Sequence, residues 1–267
     1  MKFNTILFDV DAKGIATITL NRPNEGNAYN QEMADEFMAA LAEVESNPDI
    51  KVLVTTGYGD RFFCGGGDMG MLSAIPSAAE AIECYKESGK MIPALYQLNK
   101  PSIAAVNGIA SGAGTALALA HDIVLAADNA RFGTNFITIA FTPDSGASYF
   151  LSKATNRHRM AEMMYTGKVI DAQQAYEWGF FNHVYPRDSF KDEVYSMAAR
   201  IAQNPPLTLR YDKDLLREAF KNDFYTQLEL ETIYNAVCWT TEDFREGIRA
   251  AMAKMRGERI TPNFKGK

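Results

Sequence analysis

The stretch Lys100-Pro101-Ser102-Ile103-Ala104-Ala105-Val106-Asn107-Gly108-Ile109-Ala110-Ser111-Gly112-Ala113-Gly114 holds a strand, a turn and the start of a helix in close succession. Ser102 to Val106 is a small and β-branched run bounded by Pro101 and Asn107-Gly108, the pattern of a strand covered on both faces. Gly112 to Ala120 is a run of small residues that predicts a helix packed closely on a sheet. Backbone N–H groups at its start would point outward and favour negative charge. Close helix–sheet packing explains the same glycines without any ligand. Ile123 to Ala126 reads as the next strand. Strand, helix and strand in this order imply an α/β sheet with crossover connections.

The same alternation extends towards the N-terminus. Ile15 to Leu20 alternates with period two, as a strand does, and Asn21 to Asn27 is rich in turn residues. Met33, Phe37, Leu41 and Val44 keep helical spacing from Asn30 to Glu45, where Asn47-Pro48-Asp49 stops the helix. Val52 to Thr56 reads as a buried strand, followed by a glycine-rich loop from Gly57 to Gly70. Ser77 and Glu80 form a capping box, and Ile82, Tyr85 and Ile92 supply the apolar side of a helix that Pro93 should kink.

Beyond about residue 145 helical patterns dominate, at 157–166, 171–178, 189–203, 206–220, 223–239 and 241–256. Asp171 and Gln174 resemble a capping box, and Gly179 suits a helix end. Asn204-Pro205-Pro206 is the clearest break in the chain. It divides an α/β core, residues 1–204, from a helical region, 205–267, expected to pack on neighbouring subunits.

Composition sets the outer limits. The chain has 267 residues, 47% hydrophobic and 22% charged, which excludes disorder and a small disulfide scaffold. A net charge of −6 argues against a nucleic-acid partner. Three cysteines, Cys64, Cys84 and Cys238, suit a reduced cytoplasmic compartment. Neither a signal peptide nor a membrane span is expected. His121, His158 and His183 lack metal-ligand spacing, so no metal site is expected. Ser111 and Ser145 lack the Gly-x-Ser-x-Gly setting of a nucleophile elbow.

Phe62-Phe63-Cys64-Gly65-Gly66-Gly67-Asp68-Met69-Gly70 formally contains G-x-G-x-x-G. The acidic residue that a dinucleotide site needs about twenty positions on is out of place, because Glu83 and Glu87 fall inside a predicted helix. Consecutive glycines after a strand serve either a tight turn or a close approach of backbone N–H groups to a ligand. Two such loops, around Gly67 and around Ala113, can each place one N–H about a single oxygen, the geometry of an oxyanion hole.

The segment Lys100 to Gly114 resembles the signature of the crotonase (enoyl-CoA hydratase/isomerase) superfamily. Arg22-Pro23 with Asn27-Ala28, Phe63 to Met69, and Ala130-Arg131-Phe132-Gly133 are similar to further family landmarks, in the same order. The resemblance implies a spiral of β-β-α units, then a helical C-terminal region that builds a homotrimer or a hexamer of paired trimers. It implies acyl-CoA thioester substrates, with coenzyme A entering as part of the substrate and no permanently bound cofactor. Gly67 and Ala113 carry over as the oxyanion-hole donors, Ala113 standing where a glycine is usual. Glu25, Ala28, Cys64, Gly66, Asp68, Met69, Ala110, Ala116, Phe136 and Pro143 carry over as substrate or CoA positions. Phe264 and Lys267 match tail positions that contact CoA across subunits, unless they are simply a frayed terminus.

Departures from the pattern narrow the chemistry. Family hydratases carry two glutamates, where this chain has Ala116 and Phe136. Neither side chain can move a proton, so ordinary hydration is disfavoured. Asp144, in Thr142-Pro143-Asp144-Ser145-Gly146, resembles instead the acid of the Δ3,Δ2-enoyl-CoA and ring-1,2-epoxyphenylacetyl-CoA isomerase branch. The resemblance to the ring isomerases also runs through Glu177-Trp178-Gly179, Phe244 to Gly247 and Pro262 to Lys267. An acyl-CoA isomerase with Asp144 as acid/base is the expectation. Aryl- or acyl-CoA dehalogenation or hydrolysis with Asp144 as nucleophile, and non-catalytic acyl-CoA binding, stand as alternatives. Asp144 can also be a helix N-cap, since Asp-Ser-Gly-Ala opens a predicted helix.

Overall fold

The computed structural model describes residues 2–74 and 77–267; Met1, Ile75 and Pro76 lie outside the described residues. Its strands are β1 (Ile6–Val10), β2 (Ile15–Leu20), β3 (Val52–Gly57), β4 (Phe62–Cys64), β5 (Ser102–Val106), β6 (Ile109–Ser111), β7 (Ile123–Ala127), β8 (Arg131–Gly133), β9 (Val169–Asp171) and β10 (His183–Tyr185). A six-stranded sheet runs β1-β2-β3-β5-β7-β10, and a four-stranded sheet runs β4-β6-β8-β9. In the large sheet β1 is antiparallel to β2 and every other pair is parallel. In the small sheet β4, β6 and β8 are parallel and β9 is antiparallel to β8.

β3, β5 and β7 are each followed directly by a short strand of the second sheet, β4, β6 and β8. Helices then carry the chain to the next turn, which gives the expected β-β-α spiral. The corners are built by particular residues. Asn107, after β5, donates to the carbonyls of Gly57 and Gly59 and accepts from the Gly57 N–H, tying the end of β3 to β5. A Cβ on Gly108 would lie 2.5 Å from the Arg61 carbonyl oxygen, so only glycine lets the chain turn there.

Strands covered on both faces explain the continuous apolar runs. Leu53 of β3 joins Phe37, Phe63, Leu95 and Phe132 in the core between the layers. Val52 and Val54 point the other way, onto Phe190, Val194 and Ala198 of the helix Arg187–Ala202.

The sequence boundaries of several helices hold closely. Asn30 caps Gln31–Ser46, Asp171 caps Ala172–Trp178, and Asp223 caps Phe224–Trp239 with side-chain oxygens. Three expectations need correction. The loop Gly57–Gly70 contains β4 and the first residues of a helix, Met69–Ser73. Pro93 kinks nothing: one helix, Ala78–Ser88, ends before Gly89, and Pro93 lies in the first turn of another, Met91–Gln97. There the missing proline N–H would have had no helical partner. Asp144 is not an N-cap, since Gly146 holds the position before Ala147–Ala154 and no side chain caps that helix.

Among the described residues no helix is long and apolar enough to cross a membrane. None of their His, Cys, Asp or Glu side chains gathers into a metal-binding group.

Candidate active site

The first glycine loop is pinned from both sides. Asn27, buried and in the left-handed region (φ 53°), donates through its amide to the carbonyls of Tyr58 and Phe62. The Tyr29 N–H donates to the Gly66 carbonyl at 2.9 Å, and the Asp68 N–H donates to the Tyr29 carbonyl at 3.0 Å. This parallel bridge uses the groups on either side of Gly67. The N–H of Gly67 itself therefore faces away from Tyr29.

In the second loop Gly112 has φ 55° and donates to the Gly133 carbonyl, which turns the chain from β6 into the helix Ala113–Leu119. As its first residue, Ala113 has an N–H without a helical partner. The two loops touch at Gly66. A Cβ there would lie 2.9 Å from the Ser111 oxygen and 3.2 Å from the Ala113 nitrogen. A Cβ on Gly114 would lie 2.2 Å from the Cys64 carbonyl oxygen, so the helix start rests directly on β4. Neither the Gly67 nor the Ala113 N–H is taken up by a turn, a cap or a side chain among the described residues. The structure thus sets the two glycine loops against each other at Gly66, the neighbour of Gly67.

Two tyrosines hold the Asp144–Ser145 segment. Tyr85, from the helix Ala78–Ser88, donates its hydroxyl to Asp144 Oδ2 at 2.9 Å. Tyr29, which bridges Gly67, shares a 2.7 Å hydrogen bond with the Ser145 hydroxyl. Asp144 Oδ1 is sealed from solvent and makes no hydrogen bond of good geometry among the described residues. Burial raises the Asp144 carboxyl above the ordinary carboxylate range, against the opposing pull of the Tyr85 and Ser145 hydroxyls. Burial, with Asp144 nearby, also pushes the Tyr29 and Tyr85 phenols up. Ser145 has φ 53° and Gly146 φ 80°, two consecutive left-handed residues beside the carboxyl.

The remaining candidates divide by position. Ala28, Cys64, Ala110 and Ala116 are buried. Phe136 is 6% exposed, and its ring would lie 3.8 Å from a Cβ on Gly112. Burial pushes the Cys64 thiol up to about 12, so it is a packing group rather than a nucleophile. Pro143 is half-buried beside Asp144, and Glu25 and Met69 are exposed. The Asp68 carboxylate is already engaged. It accepts from the Met71 N–H at 3.0 Å and pairs with Arg22 at 2.8 Å, which hold it below the usual carboxylate range. It fixes the loop.

Phe264 and Lys267 stand apart from this group within the chain. Phe264 packs near Gly247 and lines a separate cleft with Lys13, Lys51 and Arg200. The tail is not frayed. The Lys267 carbonyl accepts from the Glu242 N–H at 2.7 Å, and Asp243 accepts from the Lys265 and Gly266 N–H groups.

Sequence reasoning missed Tyr29 and Tyr85 as part of this cluster. Tyr85 sits at an apolar position of a helical repeat, which is how a core residue reads. A hydroxyl aimed at a carboxyl more than fifty residues away leaves no local trace.

Residues 11–267 match the family described as enoyl-CoA hydratase/isomerase. The chain is 34% identical to a 1,2-epoxyphenylacetyl-CoA isomerase of Escherichia coli, over 96% of each chain. It is 31% identical to a crotonyl-CoA hydratase of Syntrophomonas wolfei, over 98% of this chain and 100% of that one. A crystal structure of an enoyl-CoA hydratase from Bacillus anthracis superposes with a TM-score of 0.92 at 29% identity, covering 99% of this chain and 100% of that chain. With the β-β-α spiral and the paired loops already in place, these matches put the chain in the enoyl-CoA hydratase/isomerase family, with the crotonase fold.

Proposed function

We propose that this member of the family is an acyl-CoA isomerase, moving a double bond or opening a ring epoxide, with Asp144 as its acid/base. The observation that carries the reading is the Asp144 carboxyl, buried at Oδ1 without a partner while Oδ2 is held by Tyr85. A carboxyl with a raised pKa and a free oxygen is suited to taking up and returning a proton.

In the proposed reaction the thioester oxygen lies between the N–H groups of Gly67 and Ala113. As the Asp144 carboxylate removes a proton from the α-carbon, negative charge moves onto the thioester oxygen, and each donor contributes about 3–4 kcal/mol. The same carboxyl then delivers the proton to a different carbon, and the carbonyl re-forms. Coenzyme A takes part only as a portion of the substrate. Hydration would need a second group to activate water, and Ala116 and Phe136 supply none at the positions where the family resemblance places glutamates. The apolar helical C-terminus is proposed to join chains into a trimer or a pair of trimers, bringing Phe264 and Lys267 to the CoA of a neighbour.

An ultraviolet assay with 3-enoyl-CoA on wild type and Asp144→Asn tests the assignment. Turnover should fall about 10²- to 10⁴-fold in the variant, with CoA-ester binding retained. Undiminished turnover in the variant would sink the assignment.

A further inference from the structure

We propose that Tyr85 is a positioning residue that holds Asp144 by Oδ2 and so fixes the orientation of the carboxyl that moves the proton. The inference rests on the reading of Asp144 as acid/base and adds the group that orients it. A carboxyl can turn about its Cβ–Cγ bond and offer either oxygen. The Tyr85 hydroxyl, at 2.9 Å, removes that freedom by occupying Oδ2. Oδ1 is left sealed from solvent and unpartnered.

Tyr85 is not a generic core tyrosine. It comes from the helix Ala78–Ser88, in which no described residue is fully buried, so the helix brings little to the core besides this contact. The hydroxyl is a hydrogen-bond donor to the charged carboxylate and therefore opposes the upward push of burial. Of the other titratable groups, Tyr29, ahead of the helix Gln31–Ser46, feels the Asp144 charge, while Cys64 on β4 adjoins Tyr29 and Cys84 adjoins Tyr85. No lysine, arginine or other acid among the described residues perturbs Asp144. The acid limb of the pH–rate profile therefore reports the balance between burial and the hydroxyl donors.

Tyr85→Phe removes the hydroxyl and keeps the ring. The Asp144 carboxyl should then become harder to ionise, and the acid limb of kcat should move up by about one to two pH units. Above the displaced limb kcat should return to within a few-fold of wild type. A tyrosine that only packs would lower kcat equally at every pH, and an unmoved limb overturns the proposal. A second readout needs no substrate. The infrared carboxyl band that Asp144→Asn abolishes is titrated in both proteins, and its midpoint should rise in Tyr85→Phe. An unmoved midpoint again overturns the proposal. Tyr85→Gln keeps a donor and should shift the midpoint less than phenylalanine does; an equal shift counts against the hydroxyl. Full activity in Asp144→Asn would overturn both readings. An inactive Asp144→Asn with an unmoved midpoint in Tyr85→Phe would overturn this one alone.

Discussion

Ala113 occupies the first position of its helix, and this makes its N–H the proposed oxyanion donor most cleanly removed by mutation. Proline at that position keeps helical φ and forfeits an N–H that the helix does not use. Gly112 ahead of it already lies outside the right-handed α region that proline disfavours in its predecessor. Ala113→Pro should therefore leave the melting temperature close to wild type and lower kcat at least about 10²-fold. Stopped-flow turnover with calorimetric binding of an unreactive CoA thioether separates the two quantities. A variant with full kcat would show that the carbonyl does not meet this N–H. The usual glycine at this position is dispensable for the same reason, since the group at work belongs to the backbone. At Asp144 the proposed reaction needs the side chain itself, and the left-handed Ser145 and Gly146 that follow present it where a straight helix start would turn it into a cap.

At the level of elements, the decisive contact is the seating of the helix Ala113–Leu119 on β4. Gly114 has no room for a methyl group, because the obstacle is the Cys64 backbone and not a movable side chain. Gly114→Ala should push the helix off the strand, at a cost of about 1–3 kcal/mol and several degrees in thermal melting. It should also lower kcat, because Ala113 moves relative to Gly67; unchanged melting would show that the seat is slack. The long strands β2, β3, β5 and β7 were legible in the sequence because each is a continuous or alternating apolar run. The second sheet was not, since three-residue strands such as β4 and β6 are too short to show a period. β1 escaped for another reason. Only Ile6 is buried in it, so no face-to-face alternation marks it. The two glycine loops were legible through composition, and Asp144 through a motif. Its holder, Tyr85, was not, because the contact exists only after the helix Ala78–Ser88 packs against the helix Gln31–Ser46.

For the whole molecule, the unresolved balance lies in the last helices. Phe224–Trp239 carries apolar residues around its circumference, yet none of its residues is buried. Tyr225, Ile233 and Trp239 are 79%, 52% and 70% exposed. A helix apolar on all sides is ordinarily covered by something, and exposed apolar surface of this extent marks an interaction site. The region is anchored to its own core by Lys213, whose ammonium donates to Asp122 at 2.8 Å and to the Lys100 carbonyl at 3.0 Å. The helices are thus held in place with their apolar sides outward, which suits burial against neighbouring copies of the chain. Ile233→Asp should leave the α/β core folded and lower the mass measured by light scattering from three or six chains towards one. Its melting temperature should drop and become less dependent on protein concentration. Turnover should fall as well, since Phe264 and Lys267 are proposed to reach the CoA of a neighbouring chain. A wild-type protein that scatters as one chain at micromolar concentration would remove this account of the exposed face, and with it the shared CoA site.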